Sequence, residues 1–323
     1  MTVRTYWQLD PAAEPHRLEA SARSVNPIVT PLRSPAHNRF DYYAQVAQAA
    51  AQTSFDGLFI AHRPEADESR IIAATLAREV PRLTLVPEFA ASIGSAVYAA
   101  KQASTFQRST HNRLGWAIAA QAQANERARA GDLVAEDALH ERLDEFLTVA
   151  RGVQTQRPFT FEGTHFEVAN GGFDAPLNRV PFPQVFLQGE SENEIDLSAR
   201  HADVHLFGED APERIASLVE GLDEAAKQAD RHVAFGLKVS VLARETDEEA
   251  NFEAAGAEAG PGTLLGSFDT LAERLAQYAA IGITHFVFSA QPLVEEAYRI
   301  GQHLLPRLRT RIARDLPSHS VAA

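Results

Sequence analysis

Short apolar runs of strand length alternate along the chain with stretches in which apolar residues recur every three or four positions, the rhythms of strands and amphipathic helices. Residues 262–308 show the alternation most clearly. A turn leads into a helix with Leu271, Leu275 and Tyr278 on one face, then a corner at Ile281-Gly282 and the buried strand 284–289 (THFVFS). A second helix from about Leu293 turns Ala297, Ile300, Gly301 and Leu304 inward, and pairs Arg299 with Glu295 or Glu296 at helical spacing. This helix-strand-helix closes a parallel α/β fold. The same reading predicts strands over residues 3–9, 56–61, 83–89, 113–120, 184–187, 201–207 and 233–243. Helices are predicted over 40–53, 69–79, 96–108, 121–156 with a break at Gly131-Asp132, and 212–229. Pro87 falls inside strand 83–89, where its missing N–H requires an edge or an irregularity. Residues 158–168 alternate like a hairpin turned at Glu162-Gly163, and residues 10–39 read as a long loop carrying His16, Arg17, Arg23, Arg33 and His37.

Composition narrows the function classes. A chain of 323 residues, 45% hydrophobic, can bury one large core, and one domain over residues 1–323 is the simplest organisation. There are no cysteines, which excludes disulfides, thiolate metal sites and a cysteine nucleophile. A formal charge of −13 argues against nucleic-acid binding, since phosphate contacts need a basic face. No run reaches the roughly 18 apolar residues of a membrane span, and the first residues lack the layout of a signal peptide, so a soluble, cytoplasmic protein is expected.

Two stretches carry candidate chemistry. The strand at 184–187 opens through Gln188-Gly189-Glu190-Ser191 into a helix start, presenting backbone N–H groups and a hydroxyl suited to a phosphate; an ordinary serine cap reads equally well. Directly after strand 56–61 come His62 and Arg63, followed by an acidic run from Glu65 to Glu68. An imidazole there can shuttle a proton near neutral pH, and Arg63 can hold an anion; both can equally be partners of nearby carboxylates.

Longer motifs identify a family. The stretch GTLLGSFDTLAERLAQYAAIGITHFVFS with its continuation PLVEEAYR, the passage AKQASTF before Arg113, and RETDEEA at 244–250 resemble the flavin-dependent, luciferase-like monooxygenases, most closely the two-component alkanesulfonate monooxygenases. The resemblance covers nearly the whole chain. It implies a (β/α)8 TIM barrel with strand C-termini at the catalytic mouth, here with a shortened lid between residue 250 and Gly262. It also implies reduced FMN supplied by a separate NAD(P)H-dependent flavin reductase, O2 as co-substrate, oxygenation of a small organic compound through a flavin peroxide, and a homodimer. The substrate class implied is organosulfur.

Carried over by motif, Gly189, Glu190 and Ser191 would hold the flavin phosphate, with His140 standing where the family has tyrosine. His62, Arg63 and Lys238 are the catalytic candidates, Lys238 in the place of an arginine. Ser240 (for histidine) and Gln291 (for tyrosine) are the substrate-binding candidates, while Ala66 replaces a cysteine. The lid motif is matched only by Glu258-Ala259-Gly260. Ala117, Ala119 and Ala120 leave room beside the flavin ring. Two further readings follow from the substitutions and the fold: a catalytically degenerate partner subunit, and an oxidoreductase using the deazaflavin F420.

Overall fold

The computed structural model describes residues 2–14, 38–92, 94–119, 123–256 and 262–315. The predicted loop histidines and arginines from His16 to His37, together with Ala120 and Glu258-Ala259-Gly260, lie outside the described residues.

Eight parallel strands close on themselves: β1 (Arg4–Leu9), β2 (Gly57–Ile60), β3 (Thr84–Phe89), β4 (Gly115–Ile118), β7 (Gln184–Gln188), β8 (Val204–Gly208), β9 (Ala234–Arg244) and β11 (Ile283–Ser289). β11 pairs with β1 on one side and β9 on the other, and β9 pairs back onto β8, so no barrel edge is left open. Between the strands run helices α1 (Arg39–Gln52), α2 (Ser69–Leu76), α3 (Ala96–Thr110), α4 (Ala124–Arg129), α5 (Leu139–Thr155), α6 (Glu192–His201), α7 (Pro212–Gln228), α8 (Asp247–Gly256) and α9 (Phe268–Ala280). The chain closes with α10 (Leu293–Arg299), a π-turn over Ile300–Leu304, and α11 (Leu305–Asp315). β5 (Phe159–Glu162) and β6 (Glu167–Gly171) form the antiparallel hairpin expected before β7.

Period-two alternation explains the barrel interior. Tyr6, Phe59, Val86, Ala117, Phe186, Leu206 and Val287 meet in one inner cluster, while the alternate strand residues join the shell beneath the helices. β3 shows the effect of Pro87. Leu85 N–H donates to the Arg113 carbonyl on the β4 side, and alternation places the Pro87 nitrogen on that same side. The β3–β4 ladder accordingly lapses between Leu85 and Glu88, which is the predicted irregularity.

Two elements differ from expectation. The strand placed at 201–207 begins at Val204, because His201 ends α6 and Ala202 N–H still bonds back to the Ser198 carbonyl. A further strand, β10 (Thr263–Ser267), pairs with the overhang Ser240–Arg244 of β9 beyond the reach of β8. Its five residues carry too little pattern to stand out from the turn read there. Arg299 does bind Glu296, as helical spacing predicted.

Candidate active site

The alternation that fills the barrel also selects what stands at its mouth. Two residues beyond each inner core position lie Glu88 after Val86, Gln188 after Phe186, Lys238 after Gly236 and Arg63 after Ala61. Contacts confirm the convergence. The buried Glu88 carboxylate accepts the His62 backbone N–H at 2.9 Å through Oε2 and the Gln188 amide at 3.0 Å through Oε1. Lys238 Nζ lies 3.6 Å from Glu88 Oε1, donates to Gln188 Oε1 at 3.3 Å, and stands 5.0 Å over the Phe59 ring. Four strands are thus tied together by one polar floor directly above the apolar interior.

Arg63 faces Asp10 at the end of β1, its Nε 3.1 Å from each carboxylate oxygen. Neither Glu65 nor Glu68 binds it; Glu68 caps α2 and pairs with Arg70. His62 is half-buried, and burial holds its imidazole below the ordinary value against the pull of Glu88 and Glu68. At neutral pH the ring is therefore uncharged, able to accept a proton on one nitrogen and donate from the other.

A cavity of about 210 Å³ opens at the barrel mouth, lined by His62, Arg63, Ala90, Ile118, Ala119 and Leu143 among others. A second cavity of about 30 Å³ shares Ile118, Ala119 and Leu143 with it and continues to Gln188, His140 and Glu194. The two form one groove running from the barrel mouth to the start of α6. Ala119 contributes to the room expected there, whereas Ala117 is packed inside the barrel.

At the far end, Gly189 has φ +119°, a conformation a side chain rarely adopts, and Ser191 caps α6. Its N–H and hydroxyl both donate to Glu194 Oε2, at 3.0 and 2.7 Å. The donors read from sequence as a phosphate cradle are thus held by an internal carboxylate in a capping box. Glu190 turns away to Arg214 on α7, 2.5 Å distant. His140 lines the same small cavity as Glu194.

Ser240 is half-buried and accepts a hydrogen bond from Thr263 at 3.3 Å, a consequence of the β10 pairing; Gln291 is exposed. Neither lines the two cavities described. Glu88 and Asp10 carry much of the site's polar contact, yet no motif marks them; counting by two from the inner core positions finds each. Among the described residues, no group of three or more His, Asp or Glu is placed to hold a metal, and no helix is long and apolar enough to cross a membrane.

Residues 20–283 match the family described as luciferase-like monooxygenase. The chain belongs to that family. Membership makes it an oxidoreductase, with the eight-stranded closed barrel that the strand pairing shows. Solved luciferase-like barrels share the fold at low identity. EDTA monooxygenase (EmoA) from Chelativorans sp. BNC1 is 17% identical with a TM-score of 0.80, over 96% of this chain and 94% of that one. Riboflavin lyase (RcaE), solved with modified FMN and riboflavin, is 16% identical at 0.79, over 96% and 92%. An F420-dependent secondary alcohol dehydrogenase, solved with an F420–acetone adduct, is 13% identical at 0.71, over 96% and 100%.

Proposed function

We propose that this luciferase-like chain is an FMNH2-dependent monooxygenase of the two-component kind, supplied with reduced flavin by a separate NAD(P)H-dependent flavin reductase and oxygenating a small organic substrate. The observation that carries the reading is the groove formed by two cavities that share Ile118, Ala119 and Leu143, from His62 and Arg63 at the barrel mouth to His140 and Glu194 in the first turn of α6. Its middle is apolar and built from small residues, Ala90 and Ala119, as a flat ring requires; at its end a phosphate would take the Ser191 N–H and hydroxyl from the Glu194 carboxylate that now holds them. FMN and EDTA appear by name among the ligands and substrates of similar barrels, which agrees with this assignment.

Reduced flavin, when bound, supplies the electrons that activate O2. The chain's own residues do the rest. Ile118, Ala119 and Leu143 form apolar walls that exclude water from the ring's surroundings. His62, held uncharged by burial, is placed to take up or return a proton at one ring nitrogen. Gln188 presents its amide between Glu88 and Lys238 at the groove floor. Large apolar side chains exposed on α2 and α3, Ile71 and Tyr98, suit a homodimer.

The test is an anaerobic titration with FMNH2, followed by mixing with O2. Saturable binding with slowed reoxidation of the flavin supports the reading, and parallel titration with reduced F420 separates the deazaflavin alternative. Absence of binding by either flavin redox state would exclude it and favour a partner-subunit role. The phosphate end yields a sharper prediction. Glu194→Gln keeps a capping carbonyl but removes the resident charge, so FMN should bind about fivefold tighter, the ~1 kcal/mol of one like-charge contact at 4 Å in water. Riboflavin, lacking the phosphate, should be unaffected, and isothermal titration of both ligands checks this.

A further inference from the structure

The cations at the barrel mouth are already matched. Arg63 lies against both oxygens of Asp10, Arg127 lies 3.7 Å from Asp132, and Lys238 lies 3.6 Å from Glu88. Arg63 and Arg127 line the larger cavity, and Lys238 is bonded to Gln188, which lines the smaller one. The Arg127–Asp132 pair is set in the protein, its side chains 8% and 1% exposed, whereas in the other pair Glu88 is 7% and Lys238 29% exposed. A sulfonate, carboxylate or phosphate entering here would meet each cation with a carboxylate oxygen within 4 Å of it. Such a group needs uncompensated positive charge in a dry pocket, and here the charge of each cation is already offset by its carboxylate.

Resting on the flavin-monooxygenase reading above, we infer that the substrate is an uncharged organic molecule and that Glu88 enforces this choice by holding Lys238 as a neutral pair. The cavity supports the inference from its other side. Its apolar walls include Ala66, Ala90, Ile118, Ala119, Leu139 and Leu143, surfaces that gain by burying hydrocarbon. Its charged lining sets the carboxylates of Glu68, Glu126 and Asp132 against Arg63 and Arg127, which leaves no excess positive charge for an anion. Glu88 is well suited to the part. It comes from β3 at the point where Pro87 interrupts the ladder to β4, and its second oxygen is anchored by the His62 backbone N–H. The carboxylate therefore cannot swing away from Lys238 without stranding a buried acceptor. An alcohol, ketone, thioether or hydrocarbon meets the site's requirements, whereas a sulfonate does not.

The experiment compares two probes of the same length, 1-hexanol and hexane-1-sulfonate, against the full chain with and without saturating oxidised FMN. Flavin binding is read first from the FMN absorbance spectrum, so failure of the cofactor reading is seen independently of the probes. Probe binding is read by saturation-transfer NMR and competition. Wild type is expected to bind the alcohol and to bind the sulfonate roughly tenfold more weakly or worse. Glu88→Gln leaves Lys238 without its carboxylate and should improve the sulfonate roughly tenfold while the alcohol changes little. A merely structural role for Glu88 would weaken both probes together. Asp10→Asn provides the second variant, since it frees Arg63 in the same way should Glu88→Gln fail to fold. Equal binding of both probes by wild type, binding of neither, or variants that gain nothing for the sulfonate would overturn the inference.

Discussion

Glu296→Ala is expected to destabilise the protein by about 3–5 kcal/mol, the usual cost of removing one member of a buried ion pair. The Glu296 side chain is 1% exposed and lies 3.2 Å from Arg244, and it also binds Arg299. Burial pushes its carboxyl up while the two arginines pull it down. Arg244 stands at the end of β9, reaches Glu253 on α8 as well, and donates to the Ala243 carbonyl. Glu296 thus joins α10 to the barrel and, through Arg244, to α8. Glu253 is 47% exposed and compensates only part of the stranded charge. For a chain of this length the loss corresponds to a melting temperature lowered by roughly 5 °C. Calorimetry on Glu296→Ala and Glu296→Gln checks it; the glutamine variant, which keeps a hydrogen-bonding oxygen, should lose less. A change below about 1 kcal/mol for the alanine variant would show that the arginines find other partners.

The second large effect is acid sensitivity from two histidines inside the barrel wall. Burial pushes His205 and His285 each down to about 4. His205 Nδ1 is bonded to Ser198 Oγ, and His285 lies stacked against Tyr6 and edge-on to Phe186. Both are neutral in the folded protein at pH 7. In the unfolded chain they protonate near 6.5, so below that value the unfolded state binds more protons and stability falls. The loss runs from about pH 6.5 to about pH 4, at roughly 1.4 kcal/mol per pH unit for each histidine, or about 3 kcal/mol each over the window. Between pH 6.5 and pH 5 each contributes about 2 kcal/mol of this loss. His285→Asn should therefore lose about 2 kcal/mol less than wild type between pH 7 and pH 5. Urea midpoints at the two pH values measure the difference, and an unchanged pH dependence would show that the ring is hydrated in place.

What the sequence alone determined was the rhythm. Its eight strand runs are the eight barrel strands, with only the run at 201–207 displaced by three residues at its start. Strand period and helix period are local properties, written by side-chain direction along one element, so they survive without any knowledge of neighbours. The family motifs belong to the same class: they lie on helices and strand starts whose packing is repeated. Pro87 was legible for that reason too, because a missing N–H disturbs its own ladder wherever the strand lies.

The tertiary structure decided which charges meet. Asp10 and Arg63, or Glu88, Gln188 and Lys238, come from strands far apart in sequence and converge only when the sheet closes. The consequence chooses between alternatives that two sequence readings left open. Arg63 and Lys238 were read either as cations for an anion or as partners of carboxylates, and each stands beside a carboxylate. The Gly189–Ser191 turn was read equally as a phosphate cradle or a serine cap, and Ser191 caps α6 with its own donors on Glu194. Electrostatic partners are set by distances of a few ångströms across the barrel mouth, and those distances exist only after closure. The sequence can number the groups that face the mouth; only the closed sheet says which of them remain available to a ligand.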